Sequence, residues 1–210
     1  MSIICSCPCA IASIEAALSR YGPPITNEAI TIRVEGPEDA ALITDVIKRA
    51  YQDVPYSDQR EYLMVSRLRG GRGYIRELSL LAEVNGQAVG HVLLTAVIIR
   101  GPRSTAASLA LAPLSVVPEF QRQGVGRRLV AEAHRRARGL GFGSVIVIGP
   151  SAYYPRFGYE PLDRYPITLP FAVPERNRMI AALTPDGLAG VSGMVEYAPE
   201  WMAGPGQNGA

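Results

Sequence analysis

Between residues 119 and 128 the chain reads EFQRQGVGRR, and these residue types at this spacing suit the holding of an anion. Gly124 and Gly126 let the backbone come close to a ligand, while Val125, Leu129, Val130, Ala133, Ala137 and Leu140 mark the apolar stripe of a helix beginning at the same point. The first turn of a helix leaves amide N–H groups unpaired and carries about half a positive charge, so a glycine-containing loop ahead of it is a ready phosphate site. Arg122, Arg127 and Arg128 add cationic side chains, and Arg135, Arg136 and Arg138 extend the basic run. The formal net charge is only +2, so the basic character is local and argues against a general polyanion binder. The helix arginines alternate with alanines and have no aromatic residues between them, so no base-stacking surface for nucleic acid is expected.

Two phosphate loops fail on spacing. A dinucleotide-binding turn needs G-x-G-x-x-G, but Leu129 stands where the third glycine belongs. A triphosphate P-loop needs G-x-x-x-x-G-K-[ST], and Gly126 is followed by Arg127 and Arg128. What remains is [QR]-x-x-G-x-[GA] after a strand ending in Val-x-Pro, here Gln121 to Gly126 after Val116 to Pro118.

The elements around this loop read as one α/β domain. Ile30 to Val34 alternates like a half-buried strand, and Gly36-Pro37-Glu38-Asp39 opens a helix that continues through Ala50. A second helix is expected over 58–68, ending near Gly70-Gly71. Leu78 to Val84 and Ala88 to Ile99 read as strands joined by Asn85-Gly86, a strong hairpin signal. The run from Ala107 to Val117 is strand-like but contains Pro113, which cannot donate to a central ladder and so implies a bulge or a locally unpaired strand, with backbone groups left free near 114–117. After the arginine helix, Ser144 to Ile148 reads as a buried strand. A short tyrosine-rich helix (151–157), a strand near 159–162, a proline-rich loop (166–174) and a strand near 179–183 follow.

At 210 residues, with 48% hydrophobic and 19% charged residues, the chain can fill one core. The expected organisation is an N-terminal extension over 1–29, the domain over 30–183, and a C-terminal segment over 184–210 with a flexible glycine-rich tail. No apolar run reaches the roughly 18 residues of a membrane helix. The leader MSIICSCPCAIASIEAAL lacks a basic n-region and is interrupted by Pro8 and Glu15, so it does not read as a signal peptide, and a cytoplasmic, membrane-free protein is expected. Cys5, Cys7 and Cys9 all fall in that leader; their number and spacing suit neither a disulfide framework nor a C-x-x-C zinc site, and no metal is expected. Self-association as a homodimer is left open.

The loop at 121–126 and the segment AYYPRFGYEPL at 152–162, about thirty residues apart, together resemble the GNAT superfamily of acetyl-coenzyme-A-dependent N-acetyltransferases. With APLSVVPEFQRQGVG they look more narrowly like its bacterial YhbS-like branch. The resemblance implies a mixed, mostly antiparallel twisted sheet, split between its fourth and fifth strands to admit acetyl-CoA, with helices on both faces. It implies that main-chain groups of Leu114 and Val116 pair with the pantetheine arm. The backbone from Gln121 through Arg122, Gln123, Gly124 and Val125 to Gly126 would hold the pyrophosphate, with Arg127 and Arg128 beside it. Tyr154, four residues before Gly158-Tyr159, is the implied general acid, and the main-chain N–H of Val116 the implied oxyanion donor. Tyr153 is expected in the core or the pocket wall.

The reaction so implied is direct transfer of acetyl from acetyl-CoA to a primary amine of a small molecule or peptide in a ternary complex. The alternative is a non-catalytic acyl-CoA sensor or partner-binding module on the same fold. Family members often carry a glutamate base on the fourth or fifth strand. Neither strand has an acid here, and Glu77, Glu83 and His91 on or beside the hairpin are the nearby candidates. Because the leader lacks the periodicity of a packed element, deletion of residues 1–28 is expected to leave folding and acetyl-CoA binding intact. An insoluble or non-binding truncation, read by size exclusion and calorimetry, would make the leader part of the structure.

Overall fold

Strands β1 (Ile30–Val34), β2 (Tyr74–Val84), β3 (Gln87–Arg100) and β4 (Thr105–Val116) form an antiparallel meander in the computed structural model, which describes residues 30–55, 57–102 and 104–202. Asn85 and Gly86 link β2 to β3 with φ of 51° and 78°, the left-handed pair that a two-residue hairpin requires. β5 (Ser144–Ile148) joins β4 in parallel, and β8 (Arg178–Ala182) joins β5 antiparallel. The two-residue β6 (Glu160–Pro161) extends that edge, while β7 (Ile167–Thr168) pairs in parallel with β9 (Gly193–Glu196), which lies against the end of β3. The result is a nine-stranded, mixed and mostly antiparallel sheet, as the sequence led us to expect.

Period-two alternation sorts the strand residues between two helical layers. Leu78, Leu80, Ala82 and Val84 of β2 share a core with Val125, Leu129, Val130, Ala133 and Ala137 of α3 (Val125–Gly139). Leu81 and Leu93 face the other way, onto Ile43 and Ile47 of α1 (Ala40–Tyr51) and Val65 and Leu68 of α2 (Glu61–Arg69). A short α4 (Pro199–Met202) returns to this second face, where Trp201 Nε1 donates to Thr95 Oγ1 over 2.9 Å.

Four elements differ from expectation. α2 begins at Glu61 rather than near 58, because Asp58 Oδ1 accepts the Arg60 N–H and Gln59 turns through φ 60°. The tyrosine-rich segment is a single 3₁₀ turn over Tyr154–Phe157, shortened by Pro155 inside it. β9 and α4 lie beyond residue 183, in a stretch too short and glycine-rich to show a period. The leader and its cysteines lie outside the described residues.

Buried charge ties β1 to the layer above it. Glu35, at the end of β1, accepts from Arg69 Nε (2.9 Å) and Nη2 (3.1 Å) and from Tyr74 Oη, and its Oε2 lies 3.6 Å from His91 Nε2. Burial would raise the Glu35 carboxyl, but the groups around it, His91, Arg69 and Tyr74, outweigh that and hold it well below the usual carboxylate range. On the opposite face His134 Nε2 meets Tyr159 Oη at 3.0 Å; burial and, next, the charge of Arg138 lower its pKa to about 4. His134 therefore stays neutral in the folded protein when the unfolded chain, with an ordinary pKa of about 6.5, is protonated. The unfolded state binds more protons across that window, so this contribution to stability is intact above pH about 6.5 and is lost as pH falls toward 4, with an upper bound of about 3 kcal/mol. The melting temperature is accordingly expected to fall from pH 6.5 to 5, and to fall less in His134→Gln. An identical slope in the two proteins, measured by scanning calorimetry, would remove His134 from the account.

Candidate active site

The site begins where β4 leaves β5. Only Leu109, Ala110 and Leu111 pair with β5, opposite Val145, Ile146 and Val147; the cis peptide Ala112-Pro113 follows. Against β3 the register moves from Val92↔Leu114 to Leu94↔Leu111, so β4 carries one extra residue at this point, a bulge. Val117 N–H donates to Val89 O over 3.0 Å. Since antiparallel pairs alternate between bonded and non-bonded, the peptide groups of Val116 and Leu114, opposite Gly90 and Val92, turn away from β3 toward the side that β5 has vacated. There Gln121 Nε2 donates to Val116 O (3.0 Å) and Tyr51 Oη to Leu114 O (3.3 Å).

The glycine loop completes one wall. Arg122 (φ 59°) and Gly124 (φ 90°) both adopt left-handed backbone conformations, and α3 starts immediately after them. Gly124 O accepts the Arg128 N–H over 3.0 Å, so the amides of Val125, Gly126 and Arg127 precede the first bond of the helix and have no intrahelical acceptor. Gly126 has no room for a side chain: a Cβ there would lie 2.6 Å from Tyr153 Oη.

These elements enclose a cavity of about 880 Å³. Of the ten residues predicted to hold the cofactor, Leu114, Val116, Gln121, Arg122, Gln123, Gly124, Gly126 and Arg127 line it, while Val125 is buried in the core and Arg128 is not part of the lining. Gln121 contributes differently from the expectation: its amide donates to Pro118 O (3.2 Å), so it braces the loop and Val116 instead of offering an N–H to the ligand. Sequence reasoning missed Ala50, Tyr51 and Val54 at the end of α1, along with Arg156 and Phe157. Arg156 was visible within the AYYPRFGYEPL segment, two residues beyond the tyrosine; its guanidinium lies 4.9 Å from the Tyr153 ring centroid, and Nε donates to Tyr153 O. Arg122, Arg127 and Arg156 line this cavity with no carboxylate among its described lining residues, which suits a polyphosphate.

The tyrosines divide. Tyr153 lines the cavity, and its hydroxyl pKa is raised by burial against the opposing charge of Arg156. Tyr154 packs edge-on between Tyr153 and Tyr159, and its Cε2 lies against Gly149, where a Cβ would come within 2.5 Å. Gly149 lines a second cavity, of about 280 Å³, that shares Tyr51 and Pro150 with the first. Glu77, Glu83 and His91 line neither. Glu83 is paired with Arg33 at 2.7 Å, and His91 is wholly buried, with Nε2 on Ser79 Oγ at 3.0 Å.

Residues 75–161 match the family model described as "Acetyltransferase (GNAT) domain". The "Uncharacterized N-acetyltransferase YjhQ" of Escherichia coli strain K12 is 35% identical over 166 residues, covering 76% of this chain and 88% of that protein. The chain belongs to the GNAT acetyltransferase family. The family's YhbS of Escherichia coli strain K12 is 30% identical over 166 residues, 79% of this chain and 95% of YhbS. A crystal structure of Escherichia coli YhbS in complex with CoA superposes with a TM-score of 0.74 at 28% identity, covering 83% of this chain and 93% of that one. A GNAT acetyltransferase from Brucella melitensis in complex with acetyl-CoA gives 0.66 at 32%, covering 82% and 97%. This GNAT chain is an acetyltransferase.

The contact between Gly126 and Tyr153 makes position 126 a sharp test of the loop. Gly126→Glu adds bulk against the Tyr153 hydroxyl and a negative charge beside the anion site. Acetyl-CoA affinity, by calorimetry, is expected to fall at least about tenfold, or about 1.4 kcal/mol, in a folded protein. Unchanged affinity would show that the loop is only a turn.

Proposed function

We propose that the protein transfers the acetyl group of acetyl-CoA directly to a primary amine, with both substrates held at once. The observation that carries this is the meeting of two cavities at Tyr51 and Pro150, where β4 and β5 part: one is lined by arginines and first-turn amides, the other is small and largely apolar. The larger fits acetyl-CoA in charge and in its exposed backbone. Arg122, Arg127 and the amides of 125–127 would hold the pyrophosphate, and Leu114 and Val116 would pair with the pantetheine arm. The CoA and acetyl-CoA complexes of the two structural relatives support acetyl-CoA as the ligand.

Bound acetyl-CoA supplies an activated thioester; the protein's residues position it and manage protons. Direct attack is favoured because none of the usual acyl-carrying nucleophiles, Cys, Ser, Thr or Lys, lines either cavity among the described residues. The Val116 N–H, turned toward the open edge with its carbonyl fixed by Gln121, would donate to the thioester oxygen as negative charge develops. A departing thiolate needs a proton, which a tyrosine of the 154–157 turn can provide; the attacking nitrogen arrives neutral and, once acylated, gives up one proton that restores the tyrosine through solvent. Tyr154 is the assigned donor, on the strength of its spacing from Gly158-Tyr159 and of its ring contact with Gly149 in the wall of the second cavity.

In this reading acetyl-CoA raises the melting temperature by mass action, and calorimetry detects binding at micromolar to sub-millimolar concentrations. Tyr154→Phe is expected to lower turnover by about 10²-fold, within the range of acid catalysis, while barely changing acetyl-CoA affinity. Tyr153→Phe should lose much less. Should Tyr153→Phe carry the loss instead, the proton comes from the cavity wall; should neither lose activity, solvent supplies it.

A further inference from the structure

The second cavity has a chemistry of its own. Tyr51, Tyr197 and Trp201 supply aromatic walls, Met64, Ile146 and Ile148 aliphatic ones, and Glu61 the only charge among the described lining residues. The polar ends of two of the rings are committed elsewhere, Tyr51 Oη to Leu114 O and Trp201 Nε1 to Thr95 Oγ1, so what these rings offer a ligand is chiefly hydrocarbon and π-face. Tyr197 and Trp201 brace each other, with ring centroids 5.0 Å apart, and Phe171 supports Tyr197 from behind at 5.4 Å.

Glu61 is held but not satisfied. Ser57 Oγ donates to its Oε1 over 2.5 Å, whereas Oε2 is buried without a hydrogen-bond partner among the described residues. An unpartnered buried carboxylate oxygen is costly, and a donor brought in by a ligand would relieve that cost. An ammonium group is the donor that matches both the carboxylate and the surrounding aromatic faces.

Resting on the reading of the larger cavity as the acetyl-CoA site, we propose that the second cavity selects a singly charged primary amine with a compact aromatic or branched apolar body. Glu61 is the residue that recognises its cationic end; the ammonium then gives one proton to water, and the neutral nitrogen attacks the thioester carbonyl as the C–S bond breaks. The volume of about 280 Å³ equals that of roughly nine water molecules at about 30 Å³ each, enough for one ring and a short chain. A polyamine or an aminoglycoside is disfavoured on charge: each further ammonium drawn inside would need its own acceptor, and the described lining provides one carboxylate. α4, which brings Trp201, thus acts as a specificity element.

The test is a thiol-release assay with acetyl-CoA and three probes, 2-phenylethylamine, spermidine and kanamycin, on the full chain. 2-Phenylethylamine is expected to give a kcat/KM at least about tenfold above the other two, a difference of about 1.4 kcal/mol. Glu61→Gln should raise its KM about tenfold or more with kcat within about threefold, and leave acetyl-CoA affinity unchanged. Inhibition by the neutral 2-phenylethanol should be insensitive to Glu61→Gln but weakened in Trp201→Ala, which separates recognition of charge from recognition of the ring. Preference for spermidine or kanamycin, an unaltered KM in Glu61→Gln, or binding of acetyl-CoA without turnover of 2-phenylethylamine would each overturn the proposal while leaving the acetyl-CoA site standing. Absence of acetyl-CoA binding would instead overturn the reading on which it rests.

Discussion

From Leu114 to Val116, β4 is paired with β3 on one side and with no strand on the other among the described residues. A sheet normally satisfies both edges of an interior strand, and exposed edge groups invite pairing with whatever extended chain comes near. Here the vacancy is built by the bulge at Ala112-Pro113, which shifts the strand by one residue and ends the parallel ladder after three rungs. The protein then guards the opening: Gln121 and Tyr51 take the carbonyls of Val116 and Leu114. The same divergence that exposes peptide groups also makes room for the two cavities, so binding capacity and ladder disruption have one origin.

The loop before α3 solves a second problem, that of placing amides and cations on an anion without crowding it. Left-handed geometry at Arg122 and Gly124 aims the chain into the helix. Gly126 keeps the backbone within reach and lets the Tyr153 ring close over it, with Arg156 on that ring. Three arginines from two segments line one cavity that has no carboxylate among its described lining residues, so the field is set by position rather than by the modest net charge of the chain.

Much of this was legible in the sequence because it depends on local rules. Pro113 announced the bulge, Asn85-Gly86 the hairpin, and Gly124-Val-Gly126 the loop, each through backbone restrictions that a few residues impose. The arginine helix followed from its apolar stripe. What could not be read was whatever depends on distant segments meeting. Tyr51 and Val54 have no local mark of a binding role; they acquire one because α1 ends above β4. Glu61 looks like any acid in a first helical turn until Trp201, 140 positions later, closes the space beside it. The tyrosine pair shows a third limit. Adjacent residues on a tight turn face differently, and which of Tyr153 and Tyr154 meets a cavity is decided by Gly149 and Gly126, not by the spelling of the turn.

Tyr51 and Pro150 belong to both cavities, and a shared wall has a thermodynamic meaning. Whatever fills one space changes the packing and dielectric surroundings of a side chain that the other ligand touches. In the proposed reading the two occupants are energetically coupled, and linkage makes that coupling symmetric: the factor by which the cofactor alters affinity for the acceptor equals the factor by which the acceptor alters affinity for the cofactor. A partition made of one tyrosine and one proline sets how large that factor is, and so governs whether the two substrates load independently or as a pair.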